Sequence, residues 1–183
     1  MQTNARRLAA RRRNGFTLIE CSITLALAAL LAGAAVPSFK SALERRQLDA
    51  ASAQLTTSIH HTRSLAVARN TSVRMTFGSA AGASCYVIHT GSAADCRCSS
   101  DGAAVCRNGA EALQSVGFDR TLPVQLRSNS PSIVFDADKG TVTPTATLRL
   151  QARNGSAIHQ IVNVMGRMRT CSPDGKVSGH RPC

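Results

Sequence analysis

The chain has 183 residues, which is enough for one compact domain beside a membrane segment and too few for two domains. Lys and Arg number 22 against 10 Asp and Glu, a formal net charge of +12 that favours polyanionic partners. One Tyr and no Trp argue against a nucleic-acid-binding mode in which bases stack on aromatic side chains.

The first predicted element is a membrane anchor. Arginines dominate the first thirteen residues, and residues 16–39 are apolar apart from Glu20. A run of this length is typical of a membrane-spanning helix. The positive-inside rule then keeps the N-terminus in the cytoplasm and sends the chain after Phe39 across the inner membrane. A cleaved secretory signal ending at Ala32-Gly33-Ala34 is the alternative, but such signals have a shorter apolar core and rarely contain an acid.

Glu20 is the informative residue of this segment. A carboxylate in hydrocarbon is costly unless it has a partner, so an acid at this depth indicates a function. One alternative is that the side chain reaches the membrane surface from the second turn of the helix. The other is a partner cation: cleavage between Gly15 and Phe16 would create an α-amino group, which could neutralise Glu20 of a neighbouring subunit when helices pack side by side.

The helical pattern continues beyond Pro37 and predicts one helix over residues 16–69 that ends at Asn70. Residues 16–39 would lie in the membrane, and residues 40–70 would pack against a domain. The face that packs is formed by apolar residues at spacings of three and four, namely Leu48, Ala51, Leu55, Ile59, Thr62 and Ala66. His60 and His61 are adjacent and point about 100° apart on a helix, so we expect them in solvent and not at a metal.

From Thr71 onward the sequence changes to short β-prone runs between Gly, Ser, Asn and Pro. The runs predicted as strands are SVRMTF, CYVIHT, PVQLR, SIVFDA, TATLRLQA and HQIVNVMGRMRT. Residues 78–117 are rich in Gly, Ala, Ser and Cys, and we expect mostly loop there. The prediction is an α+β fold in which the long helix packs against an antiparallel β-sheet formed by residues 71–183.

Six of the seven cysteines follow the apolar run, and an even number in an exported domain indicates disulfides. A bond between Cys171 and Cys183 would close a short C-terminal loop. The four remaining thiols, whose pairing stays open, are Cys85, Cys96, Cys98 and Cys106. A zinc site is the competing interpretation, but the paired C-x2-C spacing of zinc sites is missing.

The sequence Arg153-Asn154-Gly155-Ser156 between two of the runs is a strong hairpin signal. A two-residue turn would put Arg149 on the face of Val162. A three-residue turn with a bulge would instead align Leu148 with Val162, and the hydrophobic pattern favours it because a slip of one residue exchanges faces. This register gathers four arginines on one exposed face: Arg149, Arg153, Arg167 and Arg169.

The C-terminal loop adds Lys176 and Arg181 against a single acid, Asp174. Gly166 would let a ligand approach the backbone beside Arg167. Without residues 1–15 the chain has 17 Lys and Arg against 10 Asp and Glu, a net charge of +7. These charges favour binding to nucleic-acid phosphates with little dependence on sequence.

The segment GFTLIE, which begins at Gly15 after a short basic leader, resembles the class III signal of type IV pilins and pseudopilins. The resemblance implies that prepilin peptidase removes residues 1–15, that Phe16 becomes N-methylated, and that Glu20 guides assembly with other pilins. Pro37 also falls where pilins often have a helix-kinking proline.

The segments TRSLAVARNTSVRMTF, IVFDADKGTVTP and IVNVMGRMRTC resemble the FimT/GspH branch of minor pilins. The resemblance covers most of the chain, although residues 85–106 match nothing in that branch. The sequence GRMR resembles the GRxR signature of FimT-like pilins, which is associated with binding extracellular DNA for uptake in natural transformation. The implied DNA-binding residues are Gly166, Arg167, Arg169, Arg149, Arg153, Lys176 and Arg181.

Two structural roles fit the N-terminal signal equally well: a minor pilin that primes pilus assembly, or a tip pseudopilin of a type II secretion system. An enzyme is not expected, and neither is a cofactor or a metal. The sequence contains no recognisable nucleophile–base pair or phosphate-binding glycine loop, and Asp136 and Asp138 have the character of turn residues.

Overall fold

The computed structural model describes residues 15–80, 82–99, 102–119 and 122–183. The chain divides into two units, Met1–Lys40 and Ser41–Cys183. Of the predicted leader only Gly15 is described, so the rest of that prediction lies outside the described residues.

One helix, α1, extends over Leu18–Arg69. At its start the backbone N–H of Glu20 donates to Oγ1 of Thr17 at 3.3 Å, which is an N-cap interaction. At its end Asn70 has a φ of 50°, and the N–H groups of Asn70 and Thr71 donate to carbonyls of the last turn. These paired bonds form a Schellman cap. The predicted long helix with its stop at Asn70 is confirmed.

In the first unit, α1 is long and apolar enough to cross a membrane. Its large apolar side chains are exposed; Leu18 is 88% and Leu31 73% accessible. Pro37 lies inside the helix without ending it. A continuous apolar surface of this kind requires lipid or other helices to cover it.

The strands belong to the second unit, and all of them are numbered in chain order. Within the described residues they are β1 (Val73–Ala80), β2 (Ala83–His89), β3 (Cys96–Cys98), β4 (Ala104–Cys106), β5 (Ala112–Phe118), β6 (Val124–Ser128), β7 (Ser132–Phe135), β8 (Val142–Thr143), β9 (Ala146–Ala152), β10 (Ala157–Val162) and β11 (Met168–Cys171). β5 contradicts the expectation that residues 78–117 are mostly loop. Its half-polar sequence has no clear alternation, and it is a strand because it pairs with β2.

The strands form a five-stranded sheet in the order β5-β2-β1-β7-β8, a four-stranded sheet in the order β11-β10-β9-β6, and the small hairpin β3-β4. Their pairings are antiparallel. The predicted α+β fold is therefore confirmed, with the β-structure divided into separate sheets.

The predicted apolar stripe of α1 is buried in one core with residues of both larger sheets. Two buried polar side chains, Tyr86 and Gln160, hold the sheets to the helix. The Tyr86 hydroxyl lies 2.9 Å from Oγ of Ser58, and the Gln160 amide donates to the Ser52 carbonyl at 2.6 Å. Because buried polar groups need partners, these contacts select how each sheet faces the helix. The whole core lies within Ser41–Cys183, so this unit contains what an independent fold requires.

Three disulfides complete the second unit. Cys85–Cys98 joins β2 to β3, and Cys96–Cys106 joins the two strands of the β3-β4 hairpin. Cys171–Cys183 closes the C-terminal loop, as the fold prediction states.

Candidate functional site

The outer face of the four-stranded sheet carries most of the predicted site. In β9 the residues at even positions are buried, whereas Arg149 and Gln151 are exposed. β6 shows the same alternation, with Gln125 and Arg127 exposed. Since neighbouring strands share faces, these four side chains lie on the side of the sheet that faces away from α1.

The β9-β10 hairpin has the predicted three-residue turn but not the predicted pairing. Ala152 and Ser156 flank the turn and are joined by a backbone hydrogen bond of 2.8 Å. Leu148 lies opposite Gln160, and Val162 lies opposite Ala146, so the alignment of Leu148 with Val162 is wrong by two residues. Hydrophobic patterning cannot distinguish registers that differ by two, because both keep the same side chains inward. The predicted exposed face is therefore unaffected.

The run HQIVNVMGRMRT, predicted as one strand, is two strands with a turn between them. The turn is closed by the Asn163 N–H, which donates to the Arg167 carbonyl at 3.1 Å, and by the Arg167 N–H, which donates to Oδ1 of Asn163 at 2.9 Å. Val164 lies in this turn and is 50% exposed, whereas Val162 is buried. The prediction that the two valines share one buried face is therefore wrong. Arg169 lies opposite Ile161 on the outer face.

Strand pairing puts three basic residues in one line across the sheet, which we call the cation row: Arg127, Arg149 and His159. Arg127 lies directly opposite Arg149, which lies directly opposite His159. Side chains so paired have Cβ atoms about 5 Å apart, and like charges in this position are destabilising. In the described part of the chain, no hydrogen bond or ion pair to a protein group offsets the charge of Arg127 or Arg149. Sequence analysis missed Arg127, because its pairing with Arg149 is visible only in the fold.

The electrostatics of the row are seen at His159. Burial lowers the pKa of His159, and the nearby positive charge of Arg149 lowers it further, while Asp174 acts in the opposite direction. The imidazole is therefore neutral at pH 7 and gains a proton there only if negative charge approaches.

Arg169 and Arg167 continue the positive surface beyond the row. Arg169 is two strands and two residues from Arg149, which corresponds to about 12 Å between Cα atoms for regular strands. Arg167 is exposed at the end of the β10-β11 turn, two residues before Arg169. Arg153 is exposed in the β9-β10 turn.

The structure gives Gly166 a packing role instead of the predicted room for a ligand. Gly166 is buried with a φ of 70°. A Cβ there would lie 3.3 Å from the Gly140 carbonyl oxygen and 3.4 Å from Nη1 of Arg63. The space beside Gly166 is thus filled by protein, and the contact brings the guanidinium of Arg63 close to the turn that carries Arg167.

The C-terminal loop is attached both to the sheet and to α1. Cys171 lies opposite His159, whereas the far part of the loop accepts a hydrogen bond from Arg45 at the Ser178 carbonyl. His180 contacts Asp49 of α1 at 3.2 Å. Lys176 and Arg181 are exposed on this loop.

A groove of about 280 Å³ lies between the start of this loop and the sheet. We call it the outer groove. It is lined by the cation row together with Gln125, Gln151 and Asp174. No group of three or more His, Cys, Asp or Glu side chains that could hold a metal is found among the described residues.

The residues predicted for processing and assembly lie at the start of the chain's described part. Phe16 is 83% exposed, and Glu20 is exposed in the first turn of α1. Their roles in cleavage, methylation and assembly stay predictions.

Comparison with known families identifies both parts of the chain. A family described as "Type II transport protein GspH" matches residues 51–166, and the "Prokaryotic N-terminal methylation motif" matches residues 10–36. No curated protein and no solved structure matches the chain significantly. The first match spans more than half of the chain and includes β6, β9 and β10 of the four-stranded sheet but not β11. The second match includes Gly15, Phe16 and Glu20. The chain therefore belongs to the GspH family of type IV pilin-like proteins, the pseudopilins and minor pilins.

Proposed function

We propose that this chain is a minor pilin of a type IV pilus that binds extracellular DNA without sequence specificity, for uptake in natural transformation. The observation that carries the proposal is the direct opposition of Arg127 and Arg149 on an exposed sheet face, with Arg169 on the same face and Arg167 exposed in the adjoining turn.

An arrangement of this kind favours an anionic partner. A face that only kept the protein soluble would gain stability from mixed charges, since opposite charges across strands attract and like charges repel. DNA phosphates would relieve the repulsion and release their counterions on binding. Arg153, Lys176 and Arg181 would extend the contact along the backbone of the DNA.

The N-terminal unit delivers this face to the cell surface. Prepilin peptidase would remove residues 1–15 and leave an N-methylated Phe16. Residues 16–39 would anchor the chain in the inner membrane with the N-terminus cytoplasmic, and residues 40–70 with the β-rich domain 71–183 would be periplasmic until assembly. Each subunit offers only a few phosphate contacts, so affinity per subunit would be weak and would increase when several subunits engage one polymer.

The test compares two double variants of the soluble unit Ser41–Cys183 with a matched control. Arg167→Gln/Arg169→Gln and Arg127→Gln/Arg149→Gln each remove two charges from the face. Arg97→Gln/Arg107→Gln removes two exposed charges from the region of the β3-β4 hairpin.

In fluorescence anisotropy against a random 30-base-pair duplex, we expect both face variants to bind at least about tenfold more weakly than the control. Each should also lower the slope of log K against log salt by up to about 2, because each lost phosphate contact removes roughly 0.9. If both face variants stay folded and bind like the control, the face is not the DNA-binding site.

The second candidate is a structural subunit, either a pilin that primes assembly or a tip pseudopilin of a type II secretion system. The description of the matched family favours it. Deleting the gene would then abolish secretion or piliation. Expressing the Arg127→Gln/Arg149→Gln variant in the deletion strain would fully restore the lost process. Under the first candidate, piliation would persist with that variant and transformation would fall.

A further inference from the structure

Two glutamines lie beside the arginines of the outer groove. Gln125 is directly opposite Gln151, two residues along the same strands from the pair Arg127 and Arg149. Both amides are exposed, and neither has a side-chain hydrogen bond to another part of the described chain. A row of amides therefore runs parallel to the cation row, about 7 Å away.

The two rows offer complementary chemistry. Guanidinium groups bind phosphate oxygens, whereas a glutamine amide carries both a donor and an acceptor and can pair with the edge of a base. The distance between the rows is within the span of one nucleotide from its phosphate to its base. Asp174 lies near His159 at one end of the cation row and would repel a phosphate there, which leaves Arg127 and Arg149 as the favoured place.

Duplex DNA does not present its bases to such a groove. Four strands at a spacing of about 4.8 Å span about 14 Å before side chains are added, which exceeds the major-groove width of about 12 Å. The glutamines lie on the face of this sheet, and the C-terminal loop borders the groove. A duplex could reach the arginines through its phosphates, but only an unpaired strand could turn a base toward the amides.

We propose that the outer groove binds one nucleotide of single-stranded DNA, with the phosphate at Arg127 and Arg149 and the base edge at Gln125 and Gln151. This inference rests on the proposed DNA-binding function and adds a preference that phosphate binding alone would not give. Binding through phosphates alone releases fewer counterions from a single strand than from a duplex, so it should favour the duplex.

The experiment uses the chain purified in a non-ionic detergent and a labelled 20-nucleotide strand without self-complementarity, alone or as a duplex. We expect the unaltered chain to bind the single strand about tenfold more tightly at equal salt, the discrimination that one good base contact gives. Gln125→Ala/Gln151→Ala should lose this advantage while its duplex affinity and salt slope stay unchanged. Gln54→Ala, which removes an exposed glutamine of α1, is the matched control and should behave like the unaltered chain.

Equal or tighter binding of the duplex by the unaltered chain would overturn the inference and leave the proposed function intact. If Gln125→Ala/Gln151→Ala weakens the binding of single strand and duplex equally, the inference is also overturned. The amides would then affect binding by supporting the fold and not by contacting a base. If the unaltered chain binds neither form in dilute salt, the proposed function fails together with the inference.

Discussion

Arg149 connects the two parts of the candidate site, because it faces Arg127 on one strand and His159 on the other. Two unit charges about 4 Å apart repel by about 1 kcal/mol in water, which a folded domain tolerates. The same repulsion is released when an anion binds between them. Under the proposed function, the arginine pair would lower stability slightly in the free protein and raise the affinity for phosphate.

The position of His159 predicts a pH-dependent affinity. Burial and Arg149 lower its pKa, so it is neutral in the free protein at pH 7. A phosphate in the groove would offset Arg149 and raise that pKa, so binding would take up a proton and strengthen as the pH falls. We expect a several-fold gain in affinity between pH 7.5 and 5.5 at constant ionic strength, measured by anisotropy. His159→Gln should remove this gain, and an unchanged pH dependence in that variant would assign it to other groups.

At the scale of the element, the local pattern was sufficient for α1. The buried stripe from Leu48 to Ala66 and the stop at Asn70 follow from spacing and from the tolerance of Asn for positive φ, and both are intrinsic to the sequence. The fold class follows from the same helix and from the β-prone runs behind it. The exposure of Arg167 and Arg169 likewise agrees with the alternation of the sequence.

What the sequence could not predict depends on contacts between distant segments. Arg127 joins Arg149 only because β6 pairs with β9 over an intervening stretch that includes β7 and β8. The turn between β10 and β11 was missed because Val164 and Met165 are apolar and resemble a continuing strand. The local signals of that turn are Gly166, which has a positive φ, and Asn163, whose side chain accepts a hydrogen bond across it.

The C-terminal loop allows a prediction about a whole element. Cys171→Ser/Cys183→Ser opens a loop with a sequence separation of 12 residues, which should lower the free energy of unfolding by about 3 kcal/mol in urea denaturation. It should also weaken single-strand binding, because the loop that borders the outer groove is released. Cys96→Ser/Cys106→Ser, with a separation of 10, is the matched control. This control variant should lose a similar free energy of unfolding and bind single-stranded DNA like the unaltered chain. If both cysteine variants lose binding equally, the loss results from lower global stability and not from the release of the C-terminal loop.

At the scale of the molecule, the residues proposed for anchoring and assembly and the residues proposed for DNA binding lie in different units. The core and the candidate site lie in Ser41–Cys183, whereas the exposed apolar helix and its acid lie in Met1–Lys40. Changes in one unit should therefore leave the task of the other intact.

Glu20 gives the sharpest test of this separation, because two roles for it differ in their need for charge. With Thr17 as N-cap, Glu20 is at the N3 position, where a capping box accepts Glu or Gln. The predicted assembly role would require the carboxylate itself, to neutralise the N-terminal amine of a neighbour. Phe16 lies just before the N-cap and four residues before Glu20, so neighbouring helices staggered by about one turn would bring amine and acid together.

We expect Glu20→Gln to keep the helix, membrane insertion and DNA binding of the purified chain, and to lose at least about nine-tenths of its incorporation into sheared filaments, since a lone amine or acid in lipid is costly. Immunoblots of membrane and filament fractions would measure this. Cys21→Ser, at the neighbouring exposed position, is the control and should assemble normally. If Glu20→Gln assembles normally, the role of Glu20 is limited to capping the helix. The hypothesis that its carboxylate pairs with the N-terminal amine of a neighbouring subunit would then be rejected.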